Sequence, residues 1–420
     1  MILAEINPYF VVIGFSLAII VSYLFNILAK RTNIPSVLLL IVSGIIVHQA
    51  FVFFDVRTLN LFPILEILGI IGLIMIVLEA ALDLELKKEK WPIIWKSFST
   101  AFLGLGFCIL LIGILIEAFF GFGFKVSVLY AIPLSIISSA IVIPSVVNLD
   151  AYKHEFLVYE STFSDILGIM AFYFLLGDME SKGNESFFSA AFFNISITIF
   201  ISFVASYLLI LLFQKIKTKT KLFLLISVLI LLYSLAKLMH LSSLLIVLVF
   251  GLILNNHKLF FFGKLKKFLD EESIKDKLQS FKLVTLESAF VVRTFFFLLF
   301  GMTIELGSLV DLTVFFVSLV IVAIIFGTRL LSLRSILGKN VKTFTSIAPR
   351  GLITILLFFS IPKVFQQSEF SSGILLYVIM FSAVVMTIGL IQDSKKKTLP
   401  VPEEASKDEV QKMLDEMLGD

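Results

Sequence analysis

Apolar residues fill this chain in long blocks separated by short polar links. A helix needs about 20 mostly apolar residues to cross the hydrocarbon core of a bilayer. The blocks at 8–28, 35–53, 61–82, 98–119, 127–147, 155–176, 187–213, 222–239, 241–254, 283–306, 312–331, 343–364 and 373–391 meet or approach that length. They predict thirteen spans, the ninth of them short. The links test this count independently, because Lys and Arg gather in cytoplasmic loops. With the N-terminus outside, links after odd-numbered spans should be basic. They carry Lys30 and Arg31; Lys87, Lys88, Lys90 and Lys96; Lys153; Lys215, Lys217, Lys219 and Lys221; a run within 258–282; Arg334, Lys339 and Lys342; and Lys395 to Lys397. The opposite links carry only Arg57, Lys125, Lys182 and Lys363. The prediction is a multi-pass protein of the cytoplasmic (inner) membrane, N-terminus outside and C-terminus cytoplasmic.

Composition removes the competing classes. An apolar share of 59%, with 15% charged residues, lies well above the roughly 45–50% of soluble domains. The net charge of +3 is too small to suggest nucleic acid, and the lysines follow topology. A single cysteine, Cys108, sits inside an apolar block, which excludes a disulfide framework or a cysteine metal site. The first seven residues lack a basic region and a small-residue cleavage site, so the first block reads as a retained span. The longest internal polar stretch, about 255–282, has room for one amphipathic helix on the membrane surface, with Phe260 to Phe262, Leu265, Phe268 and Leu269 toward lipid. The tail, 392–420, holds a capping-box pattern at Ser406 and Glu409. Val410, Met413, Leu414, Met417 and Leu418 follow at helical spacing, which reads either as a docking amphipathic helix or as a frayed acidic tail.

Two blocks are interrupted by polar and helix-breaking residues. The fifth carries Pro133, Ser138, Ser139 and Pro144; the twelfth carries Ser346, Pro349, Arg350, Gly351 and Pro362. A proline removes a helix hydrogen bond and frees a carbonyl, which at membrane depth survives only inside protein or beside a cavity. Pro144 and Pro349 stand 205 residues apart. That spacing suits two copies of a six-span unit, 8–176 and 222–391, with 187–213 as a connector that inverts the second, the layout of inverted-repeat transporters. Prolines that merely kink packed helices are the simpler alternative.

The sixth block contains Tyr159-Glu160-Ser161-Thr162-Phe163-Ser164-Asp165-Ile166-Leu167-Gly168. A carboxylate near a bilayer centre costs at least about 2.5 kcal/mol, so it is rare unless it pairs, faces water, or carries ions or protons. Glu160 to Asp165 resembles the Glu-Ser-x-x-Asn-Asp motif of the monovalent cation/proton antiporter superfamily, in its NhaP-like sodium/proton exchanger branch. Ile347-Ala348-Pro349-Arg350-Gly351 is similar to that branch's Arg-Gly motif. Phe326 to Leu330 places Arg329 where the branch keeps a basic partner for the motif Glu. Met75 to Leu84 and Phe295 to Glu305 resemble its third- and tenth-span signatures.

The resemblance covers nearly the whole membrane part. It implies an all-α membrane fold of the NhaA-like kind, with discontinuous crossing helices, in which a core bundle of spans 4–6 and 11–13 moves against a scaffold that also forms a homodimer. The implied activity is exchange of Na+ or K+ for H+ with no cofactor. Two departures stand out. Ser164 replaces the Asn or second Asp before Asp165, which puts the hydrogen bonding between the broken helices in doubt. Ser138-Ser139-Ala140-Ile141 replaces Ala-Thr-Asp-Pro, so the fifth span offers only hydroxyls and carbonyls.

The residue chemistry agrees. A hard cation takes oxygen ligands, and Asp165, Ser161, Ser139, Ser138 and freed fifth-span carbonyls can supply them. Ser161 and Asp165, four apart, share one helix face. Glu160 can meet Arg329, since a buried charge is tolerated when paired, and Asp165 is left to hold either a proton or a cation. Blander readings stand beside these: a structural Asp165, a Glu160–Arg329 strut, Arg350 satisfying carbonyls freed at the twelfth span with Pro349, and a snorkelling Glu79 in place of a funnel or pH-sensing Glu79. Glu287 and Arg293, six apart, lie on different faces and pair elsewhere or sit near a loop. A solvated His154 is the plain reading beside a pH-tuning one. His48, His154, His240 and His257 are scattered, which argues against an intramembrane enzyme. A gated K+ efflux channel and a transport-inactive scaffold remain as alternatives.

Overall fold

The computed structural model describes residues 8–32, 35–54, 62–180, 187–215, 221–239, 243–261, 271–304, 311–339 and 341–397. The tail helix expected within 406–418 and residues 262–270 of the expected surface helix lie outside them. The described residues form helices α1 (Pro8–Thr32), α2 (Ser36–Phe53), α3 (Phe62–Asp83), α4 (Trp91–Phe120), α5 (Phe124–Ser135), α6 (Ser139–Ser145), α7 (Ala151–Glu180), α8 (Phe187–Lys215), α9 (Lys221–Leu238), α10 (Ser243–Asn255), α11 (His257–Phe260), α12 (Glu271–Met302), α13 (Leu312–Leu337), α14 (Lys342–Ser346), α15 (Leu352–Phe359) and α16 (Ser372–Lys397). Eight helical stretches among them are long and apolar enough to cross a membrane, and three shorter ones are also apolar.

The pattern within each helix decides which face turns inward. On α4 the buried residues Ile94, Ser97, Ala101, Leu105, Cys108, Ile112 and Ile116 recur every three or four positions, the stripe of a helix packed on one side. Its other face, with Phe102, Phe107, Leu110 and Ile114, is both apolar and exposed. Apolar residues on the outside as well as the inside are what a lipid-facing helix requires.

Packing separates the helices into two groups. One gathers α4, α5, α6, α7, α13, α14 and α16, with α4 against α5, α7 and α13. The other gathers α1, α2, α3, α8, α9, α10 and α12, with α12 against α2 and α3. Helix α15 lies between them, touching both α5 and α3.

Several boundaries differ from the sequence expectation; α4 starts at Trp91 rather than near 98 and α16 runs to Lys397. Helix α12 starts at Glu271 rather than near 283, because Ile274, Leu278, Phe281 and Thr285 continue its buried stripe one turn at a time. The expected fifth span is α5 followed by α6, with a break at 136–138. Pro133 lies inside α5, one turn before that break, whereas Pro144 lies inside α6 and is not at the break. The twelfth block breaks at 347–351, around Pro349, between α14 and α15. The fifth block therefore breaks at 136–138 and the twelfth at 347–351, and of the two prolines Pro349 lies at a break while Pro144 does not.

Candidate functional site

A broken helix strands backbone groups that buried surroundings must satisfy. In the fifth-block break, the Ile137 N–H donates to Ser164 Oγ (3.0 Å), the Ser138 N–H to the Pro349 carbonyl (2.9 Å) and the Ser139 N–H to Asp165 Oδ2 (3.2 Å). The Ser138 carbonyl starts α6 by accepting from the Ile141 and Val142 N–H groups. Two carbonyls at the end of α5 accept from one guanidinium: Arg350 Nε donates to Leu134 (2.9 Å) and Nη2 to Ser135 (3.1 Å). In the twelfth-block break, Arg350 Nη1 donates to its neighbour Ala348 (2.7 Å), while the Arg350 N–H donates to Ser382 Oγ on α16 (3.0 Å). The two breaks are thus joined directly through Ser138 and Pro349 and again through Arg350.

This accounting revises three expectations. Ser164 keeps a hydrogen bond to the broken helix that its replacement of Asn had put in doubt, because a hydroxyl oxygen accepts from an N–H as an amide oxygen does. Arg350 satisfies mainly fifth-block carbonyls rather than those of its own block. Leu134 and Ser135 are consequently engaged by Arg350 and are not spare oxygens for a cation.

Glu160 and Arg329 meet as a two-pronged pair. Arg329 Nη1 donates to Glu160 Oε1 (2.7 Å), Nη2 to Oε2 (2.9 Å), and Nε to the Phe344 carbonyl at α14 (2.9 Å). Both side chains are buried. Each nitrogen of the Arg329 guanidinium is therefore engaged at least once, and each Glu160 oxygen has a partner. A small cavity of about 20 Å³ lies against Glu160, Ser164, Arg329 and Arg350, on the side where α4 and α13 pack.

Asp165, one turn beyond Ser161 on α7, is also buried, but among the described residues no charged group pairs with it. Its Oδ2 accepts from Ser139, and its Oδ1 has no partner; nor has Ser138 Oγ. Ser161 Oγ donates to the Val158 carbonyl (3.2 Å), which leaves its lone pairs unused. Gly168 allows the approach: a Cβ there would run into the Ile136 side chain of the break. Gly351 does the same for the second break, since a Cβ on it would lie 2.7 Å from Ser138 Oγ and 2.8 Å from Ile141 Cδ1. Gly351→Ala should push the breaks apart and lower stability by about 1–3 kcal/mol, measured as a drop in thermal unfolding temperature in detergent.

Glu79 is not part of this cluster. It lies on α3 with Arg293 of α12 at 3.6 Å, beside an open cavity of about 520 Å³ that Asp83 and Lys282 also line. Arg293 thus pairs elsewhere than with Glu287, which is exposed. Outside the spanning segments, the Lys87 ammonium hydrogen-bonded to Glu85 holds that carboxyl below its ordinary range. Sequence reasoning missed Ser382, which carries no local signal, being one hydroxyl in an apolar helix.

Broken helices crossing at a buried, unpaired carboxylate define a multi-pass membrane protein whose polar centre is sealed inside its helices. The chain belongs to the sodium/hydrogen exchanger family: the profile described as "Sodium/hydrogen exchanger, transmembrane" matches residues 16–392. Its fold is similar to that of the sodium proton antiporter MjNhaP1 from Methanocaldococcus jannaschii at pH 8, with 18% identity, a TM-score of 0.65, and 93% of this chain and 100% of that one covered. A second structure of that antiporter, from an electron-microscopy map, gives 18% identity and a TM-score of 0.64 over 93% and 97% of the two chains. No curated protein sequence matches significantly.

Proposed function

We propose that this chain is a secondary active antiporter that exchanges a monovalent cation, Na+ or K+, for H+ by alternating access around Asp165. The observation that carries the reading is the Asp165 carboxylate, buried at the crossing of two broken helices with Oδ1 free and no charged partner among the described residues. One carboxylate holds a proton or a cation but not both, so competition couples the two fluxes. Family membership supports the same reading.

The charges favour electroneutral one-for-one exchange. Glu160 and Arg329 cancel, and Arg350 balances an ionised Asp165, so the unloaded site is neutral. Loading a proton or a monovalent cation brings it to the same charge of +1. Either load therefore crosses as an equivalent charge, and the swap moves none.

The wider architecture belongs to the same proposal: thirteen spans with the N-terminus outside and the C-terminus inside the inner membrane, two inverted six-span repeats, and a homodimer. It is supported by the thirteen apolar blocks, by the basic links, and by one break in each half at the crossing. The group holding α4–α7, α13, α14 and α16 is the moving bundle of this proposal, carrying Asp165 and the Glu160–Arg329 strut together. Glu79 and the cavity beside it then serve as an approach to the site. In sealed vesicles carrying the purified protein, an inward gradient of Na+, K+ or Li+ should drive protons out, at a rate unaffected by membrane potential. Cation flux without proton movement would indicate a channel, and a rate set by voltage would rule out one-for-one exchange.

A further inference from the structure

Most buried hydroxyls on the described helices donate back to their own helix, and among the described residues only a few, Ser127, Thr285 and Thr354 on helices among them, have no partner. Ser135 donates to Ala131, Thr162 to Val158, Thr328 to Ile324 and Ser332 to Thr328, each with the carbonyl four residues earlier. Thr354 does not. It is 1% exposed, and its Oγ1 has no partner. The reason is local: α15 starts only at Leu352, so the carbonyl four residues before Thr354, on Arg350, lies in the break, and the nearer Gly351 carbonyl accepts from the Ile355 N–H (3.2 Å). A buried hydroxyl left without a partner is destabilising, and a ligand can remove that cost.

The neighbours of α15 show where this hydroxyl lies. Leu352 and Leu356 turn toward Gly72 and Gly69 of α3. The opposite stripe turns toward the broken fifth block: Gly351 abuts Ser138, and the Phe358 ring meets the Tyr130 ring at 5.7 Å. Thr354 stands three residues after Gly351 and four before Phe358, on that same stripe. It is bracketed by two contacts with the broken block. At the first of them, Ser138 offers its own unpartnered Oγ, and the next peptide N–H is held by Asp165, whose Oδ1 is also unpartnered. Thr354 thus lies one helical turn beyond a crossing at which two other buried oxygens, from separate elements, are also unsatisfied.

We propose that Thr354 Oγ1 is an oxygen ligand of the transported cation, completing a set with Asp165 Oδ1 and Ser138 Oγ. A hard cation stripped of water takes several oxygens, and neutral hydroxyls supply them without adding charge to the site. The ligand from α15 also ties the second broken helix to the ion, so the cation closes the crossing from both sides. A proton on Asp165 needs no such set. Thr354 therefore acts on cation affinity and not on the proton half of the cycle.

This proposal rests on the antiport reading, and one vesicle experiment separates the two. Cation-driven proton movement is measured against cation concentration for the wild type, Thr354→Val, Thr354→Ser and Asp165→Asn. Loss of one hydroxyl ligand should raise the half-saturating cation concentration of Thr354→Val about tenfold, with the maximal rate held within about twofold. Thr354→Ser, which keeps the oxygen, should stay within about twofold of the wild type in both quantities. If Thr354→Val does not insert as a folded protein, Thr354→Ala carries the same comparison. Wild-type half-saturation in the hydroxyl-less variant overturns the proposal, as does an equal shift in Thr354→Ser. Exchange by the wild type that Asp165→Asn lacks keeps the antiport reading in either case. A wild type that moves no protons with any of Na+, K+ or Li+ overturns both.

Discussion

Replacing Arg329 by methionine should lower the stability of the folded chain by about 3–5 kcal/mol, because it strands Glu160 as an uncompensated buried charge. That is a large share of the roughly 5–15 kcal/mol that holds a typical domain folded, so a marked fall in folded yield should accompany it. The double change Glu160→Leu with Arg329→Met should recover most of the loss, since removing both charges of a buried pair is often close to neutral. Thermal unfolding in detergent for both single variants and the double one checks this. The pair would be no strut if Arg329→Met unfolded at the wild-type temperature. The Arg329 Nε bond to Phe344 is lost in both variants, so recovery falls short of complete by about the worth of one hydrogen bond, near 1 kcal/mol.

Arg350→Leu is the second large effect. The guanidinium serves the Leu134, Ser135 and Ala348 carbonyls together. Its loss leaves three buried acceptors unpaired, at about 1–3 kcal/mol each before the surroundings relax. We expect a destabilisation of about 3 kcal/mol or more, concentrated at the two breaks. Arg350→Lys should recover only a minority of it, because an ammonium on a flexible stem cannot span the same carbonyls as a planar fork. A lysine variant as stable as the wild type would show that the charge, and not the geometry, is what the breaks require. Amide exchange at Ile137 and Ser138 should speed up in the leucine variant, since the segment carrying those N–H groups loses its anchor.

Much of the fold was legible because a bilayer imposes length. Apolar runs of about 20 residues and basic links leave little freedom in where helices begin and end, and α4 or α7 could be drawn before any coordinates. Glu160 and Arg329 were legible for a related reason: a charge in an apolar run needs a partner, and few candidates exist. What remained hidden depends on contacts between distant segments. Pro144 looked like a breaker and is helical, while the break three residues past Pro133 is held open by Ser164, Asp165 and Pro349 from other parts of the chain. The carbonyls that Arg350 serves lie more than 200 residues earlier, and no local pattern points to them. Helix α12 begins early because Ile274 and Leu278 find cover that only the packed protein provides. Thr354 was invisible for the opposite reason, since a threonine in an apolar helix ordinarily bonds back to its own backbone.

In the proposed cycle, Asp165 holds either a proton or a cation. Adding Na+, K+ or Li+ to the detergent-solubilised protein in weakly buffered solution tests it without any gradient, because a cation that displaces a proton releases it. The wild type should release about one proton per chain as the preferred cation saturates, and Asp165→Asn should release none. Proton release that survives in Asp165→Asn, or cation binding to the wild type with no release at all, would contradict it.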